Sequence, residues 1–273
     1  MSLMNWTETY STSFTDHMHR YPFLHRRLKQ GYGLGWKERY KPWITVRQVK
    51  TGEGRTSHIK GYKVNRIHHL LSLGESSYLY MAERWPWVTD IREQWPILDF
   101  DRTNELHFER GIPVPQRGGL PQPVTIDFML TEDTADGPRC RAVAIKPADL
   151  AMRKKTKLYL DVQRTWCEEN NIPFSVVSNT GEIQLSESLN EIRKWFEDGY
   201  EPDQTKAAAF AEFFLANHTE HTPLASIFRP VSKSMRLDDA ETFSLFRYCA
   251  WSNRIKLDLH KPIALNEAAV LAP

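Results

Sequence analysis

The run from Arg141 to Asn179 constrains the fold more than any other part of the chain. "RAVAIKPADL" offers four small or apolar residues, Ala142 to Ile145, then one lysine, then a proline. This is a short buried strand that stops at Lys146 and Pro147, because proline has no N–H to give a ladder. A helix is predicted over about 150–169, with Leu158, Val162 and Trp166 spaced four apart on one face. "IPFSVVSN" then reads as a second strand. Strand, helix, strand in that order is a βαβ unit, and it predicts an α/β fold with a parallel strand pair.

Upstream, "VTIDFML" alternates. Val124, Ile126, Phe128 and Leu130 face one way, and Thr125, Asp127 and Met129 the other. The polar stretch "TEDTADGPR" joins this strand to "CRAVAIK" as a hairpin. Earlier still, a short basic helical segment breaks at Gly31 and Gly33. "KPWITVRQVK" reads as extended, "SHIKGYKVNRIHHLLS" as a turn and a strand, "LGESSYLYMAERW" as a helix and "WVTDIREQWPIL" as a strand. Residues 99–122 read as loop, with Pro113, Pro115, Gly118, Gly119 and Pro121 crowded together. After Asn179 come four helical segments. The alternating "RIKLDLHKPIAL" then predicts two short strands around His260, Lys261 and Pro262. Helices ending on a β element suggest a winged-helix-like domain. The chain thus divides into an N-terminal domain over 1–180 and a C-terminal domain over 181–273.

Composition excludes several classes. No apolar run approaches the roughly 20 residues that span a bilayer, and the N-terminus lacks the pattern of a signal peptide. The three cysteines, Cys140, Cys167 and Cys249, are odd in number and far apart. They fit a reducing cytoplasm better than a zinc site. Walker, dinucleotide-binding and G-x-S-x-G motifs are all missing. Net charge is only +2, but residues 1–66 carry 13 Lys or Arg against 4 Asp or Glu. Aromatics interleave this basic quarter (Tyr21, Phe23, Tyr32, Trp36, Tyr40, Trp43), as suits phosphate contact, although a basic solvated surface has the same composition.

Three residues could carry chemistry. Lys146 at a strand end can stabilise charge on a phosphate, or be the first solvated position of its strand. Asp127 lies on the polar side of its strand, where the hairpin could bring it to Lys146 as an ion pair or as half of a metal site. Glu75 ends the pattern Ser72-Leu73-Gly74-Glu75, a capping box that can still face a cleft. His68 and His69 are adjacent, so in a strand they point to opposite faces. His218 and His221 could share a helix face, but have no evident third partner.

Taken together, "KPWITVRQV", "RIHHLLSLGESSYLYMAERWPWVTDIREQWPI", "TIDFML", "AVAIKPA" and "IPFSVVSN" stand in the order found in TnsA, the endonuclease subunit of Tn7-type heteromeric transposases. The resemblance covers roughly residues 30–180. It implies a restriction-endonuclease-like mixed sheet flanked by helices, acting on double-stranded DNA at transposon ends. It also implies a TnsB-type DDE transposase and a TnsC-type ATPase regulator as partners. The family's site residues carry over to Glu75, Asp127 and Lys146, with the peptide oxygen of Ile145 as a further metal ligand. The implied cofactor is Mg²⁺, with Mn²⁺ as substitute, and the implied location is the bacterial cytoplasm. The sequence departs from related nucleases at Ala144, which stands where they have an acid two before the lysine. It departs again at Gln163, where family members can carry an acid, with Asp161 and Asp149 nearby. These two departures keep open a non-catalytic DNA-binding and assembly subunit. A stand-alone restriction- or repair-type nuclease is the third reading.

Overall fold

The structure, a computed structural model, describes residues 22–48, 56–178 and 182–273, with the side chains of residues 22 and 23 excepted. Much of the basic quarter, residues 1–21 and 49–55, lies outside the described residues. The chain divides into two compact units, residues 1–180 and 181–273. No described helix is long and apolar enough to cross a membrane.

The first unit is built on one mixed sheet. Helix α1 (Pro22–Lys29) precedes the hairpin β1 (Ser57–Lys60) and β2 (Ile67–Leu70). Helix α2 (Leu73–Arg84), strand β3 (Val88–Pro96) and helix α3 (Phe100–Glu109) follow. A small hairpin pairs β4 (Gln116–Arg117) with β5 (Leu120–Pro121). The long strands β6 (Thr125–Thr134) and β7 (Gly137–Ile145) lead through α4 (Ala148–Ala151) and α5 (Lys154–Glu169) to β8 (Phe174–Val177). The sheet order is β3-β6-β7-β8. β6 is antiparallel to both of its neighbours, and β7 is parallel to β8, as the βαβ reading requires.

Both faces of the sheet are covered. Successive residues of a strand point to opposite faces. Phe128 of β6 meets Tyr78 of α2 at a ring separation of 5.2 Å. The next residue, Met129, is in the core with Val162, Trp166 and Cys167 of α5 and Leu106 of α3. A second cluster of Leu24, Leu28, Trp43, Leu98 and Phe100 packs α1 against the start of α3.

Two expectations for this unit need correction. "KPWITVRQ" is not extended as a strand: it holds a short 3₁₀ turn at Val46–Gln48 and one isolated bridge, Tyr32 to Lys41. Its backbone groups are used singly, with the Trp43 N–H donated to Gln94 O and Trp43 O accepting from Arg27. Residues 99–122 are not loop throughout. Asp99 caps α3 by accepting from Arg102 N at 3.3 Å, and Phe100, Thr103, Leu106 and His107 form its buried stripe.

The second unit is helical: α6 (Ile183–Glu197), α7 (Gln204–Asn217), α8 (Leu224–Met235) and α9 (Asp239–Trp251). The two strands expected over "RIKLDLHKPIAL" do not form, and the β element reduces to one bridge, Leu257 to Leu271. Asp258 explains the difference. Its side chain accepts from His260 N at 3.0 Å and its carbonyl from Lys261 N at 3.1 Å, which turns the chain where a strand would continue.

Candidate active site

β6 and β7 bring the central contact together. Their register sets Phe128 opposite Val143, so Asp127 comes abreast of the end of β7. Asp127 Oδ2 accepts from the Ile145 N–H at 2.7 Å and from Lys146 Nζ at 2.6 Å. Lys146 Nζ also donates to Ile145 O at 2.9 Å. One ammonium therefore bridges a carboxylate and a peptide oxygen at a strand end. Among the described residues, Asp127 Oδ1 accepts no hydrogen bond. Burial alone would lower the Lys146 pKa, but the Asp127 carboxylate reverses this and holds the ammonium above the usual lysine range.

Asp127 and Lys146 line a cleft of about 360 Å³. Its walls include Trp43, Arg117, Gln122, Tyr159 and Gln163. Gln163 is of particular interest. Its Nε2 donates to Thr125 O at 2.8 Å, while its Oε1 is buried and has no partner. An unpaired buried acceptor costs roughly 1–3 kcal/mol, so this oxygen stands ready for a donor or a cation.

Glu75 is placed differently. Ser72 Oγ accepts from Glu75 N at 3.1 Å and donates to Glu75 Oε1 at 3.1 Å. Glu75 Oε2 accepts from Leu71 N at 2.9 Å and from Gln94 Nε2 at 3.2 Å. The capping box is thus formed, and Glu75 is not among the residues lining the cleft. It still senses the site. Burial, and then the Asp127 charge, push its carboxyl up to about 7, against smaller pulls from the Leu71 N–H, Lys146 and Ser72. Ala144 is fully buried and pairs with Val176, so it contributes only packing.

The histidines lie in other settings. His68 Nδ1 meets Glu93 Oε2 at 2.8 Å, and His69 Nδ1 meets His58 Nε2 at 3.1 Å. His218 Nε2 meets Ala269 O, and the His221 N–H bonds Thr219. Among the described residues, no three His, Cys, Asp or Glu side chains gather as a metal set.

Gln94 is a site residue that sequence reasoning misses. It is buried within β3, yet its φ is +47°. A left-handed non-glycine residue costs of order 1–3 kcal/mol and tends to sit at functional sites. Pairing runs from Glu93–Phe128 to Trp95–Ile126, so Gln94 lies beside Asp127 on the neighbouring strand. Its side chain holds Glu75, and its carbonyl holds Trp43 N. No sequence pattern marks such a twist, because glutamine is an ordinary strand residue.

Residues 86–179 match the family described as TnsA-like endonuclease N terminal. That span includes Gln94, Asp127, Ile145, Lys146 and Gln163 and begins after Glu75. Over 251 residues the chain is 28% identical to the transposon Tn7 transposition protein TnsA of Escherichia coli, an overlap of 90% of this chain and 89% of that protein. The similarity thus runs well beyond the sheet, through most of both chains.

Proposed function

We propose that this protein is a Mg²⁺-dependent DNA endonuclease that cuts the non-transferred strand at the 5′ ends of a transposon during cut-and-paste transposition. A TnsB-type transposase would cut and join the other strand, and a TnsC-type ATPase would regulate the pair. The observation that carries this reading is the contact of Asp127 with Ile145 and Lys146, beside a cleft that Asp127 and Lys146 line, in the span that matches the TnsA-like family.

The donor set fits a hard divalent cation, which prefers oxygen ligands. Asp127 Oδ1, the Ile145 carbonyl and the orphaned Gln163 Oε1 would hold it, with Glu75 acting on the site through the charge of Asp127. Mn²⁺ would substitute in the same set. Such an ion supplies an acidified water and charge compensation at a phosphate oxygen. The chain's own part is electrostatic. Lys146 stays protonated and presents positive charge to the scissile phosphate, where negative charge grows. Asp127 fixes the lysine and fastens the end of β7 through the Ile145 N–H. Gln163, held to Thr125 O through its Nε2, leaves its one side-chain oxygen, Oε1, free of that bond.

Strand-specific mapping of transposon-end cleavage in the assembled system tests this. Asp127→Ala and Lys146→Ala are each expected to lower 5′-strand cleavage by about 10²–10³-fold, the loss typical of removing one transition-state contact, with complex assembly retained. Undiminished cleavage by both variants would refute the site. Absent Mg²⁺ or Mn²⁺ binding by calorimetry, with DNA binding intact, would favour the non-catalytic assembly subunit instead.

A further inference from the structure

The hairpin β4–β5 forms part of the cleft wall and has no role in the chemistry above. Its turn is Gly118-Gly119, with φ of +57° and +76°. Positive φ at both central positions is the geometry of the two-residue turn that matches strand twist. A Cβ added at either glycine would meet nothing within 4 Å, so the tip stands clear of the protein. Gln116, Arg117 and Leu120 are exposed, and Leu120 is 47% accessible.

The base, in contrast, is tied down. Gln122 N donates to Pro115 O at 2.7 Å and closes the hairpin. Trp43 Nε1 donates to Gln122 Oε1 at 3.4 Å, and Tyr159 OH to Pro113 O at 3.0 Å. A firm base under an open tip leaves the tip free to meet a partner.

Charge indicates what that partner is. Arg117 reaches the Gln48 carbonyl, and Arg27 reaches the Trp43 carbonyl while its guanidinium lies 4.3 Å from the Tyr32 ring centroid and 4.7 Å from that of Trp43. Neither arginine is paired with a carboxylate among the described residues. Burial lowers the Arg27 pKa against an opposing effect of Tyr32, with a smaller lowering from the Arg117 charge. Two guanidiniums anchored by carbonyls and not by carboxylates leave positive charge for a polyanion to neutralise. Arg117 and Lys146 line the same cleft, so these two cations flank one path toward the candidate scissile position.

We propose that the hairpin Gln116–Pro121 is a backbone clamp for duplex DNA: Arg117, supported by Arg27, grips a phosphate flanking the one that meets Lys146. The tip then fixes how far the cut falls from the bound end. This deepens the nuclease reading and rests on it for the identity of the scissile phosphate.

The test uses the full chain and a duplex carrying a transposon end, with affinity measured against salt. Each phosphate contact adds about 0.9 to the slope of log K against log salt. Arg117→Ala should reduce that slope by about 1 and weaken binding, with an unchanged melting temperature, and Arg117→Lys should retain the slope. Arg139, six residues before Ile145 and about 20 Å back along β7, is the control whose alanine variant should behave as wild type. In the assembled system, Arg117→Ala should also scatter the cut position. An unaltered slope with Arg117→Ala, or wild-type binding insensitive to salt, overturns the clamp. Failure of the nuclease reading looks different: wild type leaves the 5′ strand intact while the Arg117 slope effect persists.

Discussion

Glu75 shows how one residue can serve two ends. Its oxygens complete a helix cap, which is the role its sequence pattern predicts, while burial and the Asp127 charge push its carboxyl up to about 7 from 4.5. In the metal-free protein the native state therefore retains a proton over that range while the unfolded chain releases it. Stability then falls as pH rises from about 4.5 to about 7, because the folded pKa of this acid lies above the unfolded one. Urea titrations across this window should show the decline, and Glu75→Gln should flatten it. Equal pH slopes for the two proteins would sink the assignment. Mg²⁺, which favours the ionised carboxylate, should oppose the decline. The residue scale also marks where the sequence was readable. Asp127 and Lys146 stood out because a strand alternates and ends sharply. The contact between them depended on register, and Gln94 was hidden because a positive φ at glutamine leaves no trace in composition.

At the scale of elements, the β1–β2 hairpin is joined to the sheet by a buried ionic knot. Arg66 makes two hydrogen bonds to Glu93, at 2.8 and 2.5 Å, and His68 Nδ1 makes a third at 2.8 Å. The His69 N–H donates to the same carboxylate at 3.0 Å. Burial would raise the Glu93 pKa, but His68 and Arg66 hold it far below the usual carboxylate range. An acid depressed in this way stabilises the fold above its unfolded pKa and yields that stability only as pH falls toward the folded value. Arg66→Met leaves the carboxylate short of its main partner, and breaking a buried pair from one side costs about 3–5 kcal/mol. Chemical denaturation should show that loss at pH 7 and a shrinking loss on acidification. A loss independent of pH would instead assign it to packing of the arginine stem. The elements legible in the sequence, β6, β7, α5 and β8, are those with regular apolar spacing. Helix α3 was concealed by its polar surface and by the prolines after it, although Asp99 with Phe100, Thr103, Leu106 and His107 carried the cap and the stripe. The hairpin β4–β5 was concealed in the same crowd of Pro and Gly, whose turn function is plain only once its strands are paired.

On the scale of the whole molecule, the two units differ in how they are held. The first depends on a sheet that joins strands separated in sequence, β3 with β6 and β7 with β8, to the central β6–β7 hairpin, and the second on packed helices and a terminal segment that binds them. In the second unit Trp195, Phe210, Phe214, Phe228, Phe246 and Trp251 are buried together with Ile192, Ile227 and Leu245. Their rings meet in pairs: Trp195 with Tyr248 at 4.9 Å, Phe228 with Phe246 at 5.1 Å and Phe214 with Phe246 at 5.5 Å. The terminal segment then crosses back. Ala225 N donates to Leu265 O and Leu224 N to Glu267 O, both at 2.9 Å, which satisfies two N–H groups that open helix α8. Ser188 Oγ donates to Lys261 O at 2.9 Å. A unit with this core exceeds the ~55–65 residues at which many domains already fold alone. Residues 182–273 produced separately should therefore be helical by circular dichroism and unfold cooperatively in urea, with a slope of about 1–3 kcal/mol per molar. Ending the fragment at Ile255 removes the segment that closes α8 and should lower the midpoint while the helical signal largely persists. A fragment 182–273 that melts without cooperativity would show that its aromatic core needs the rest of the chain. A truncation with an unaltered midpoint would show that the terminal segment lies on the unit without holding it.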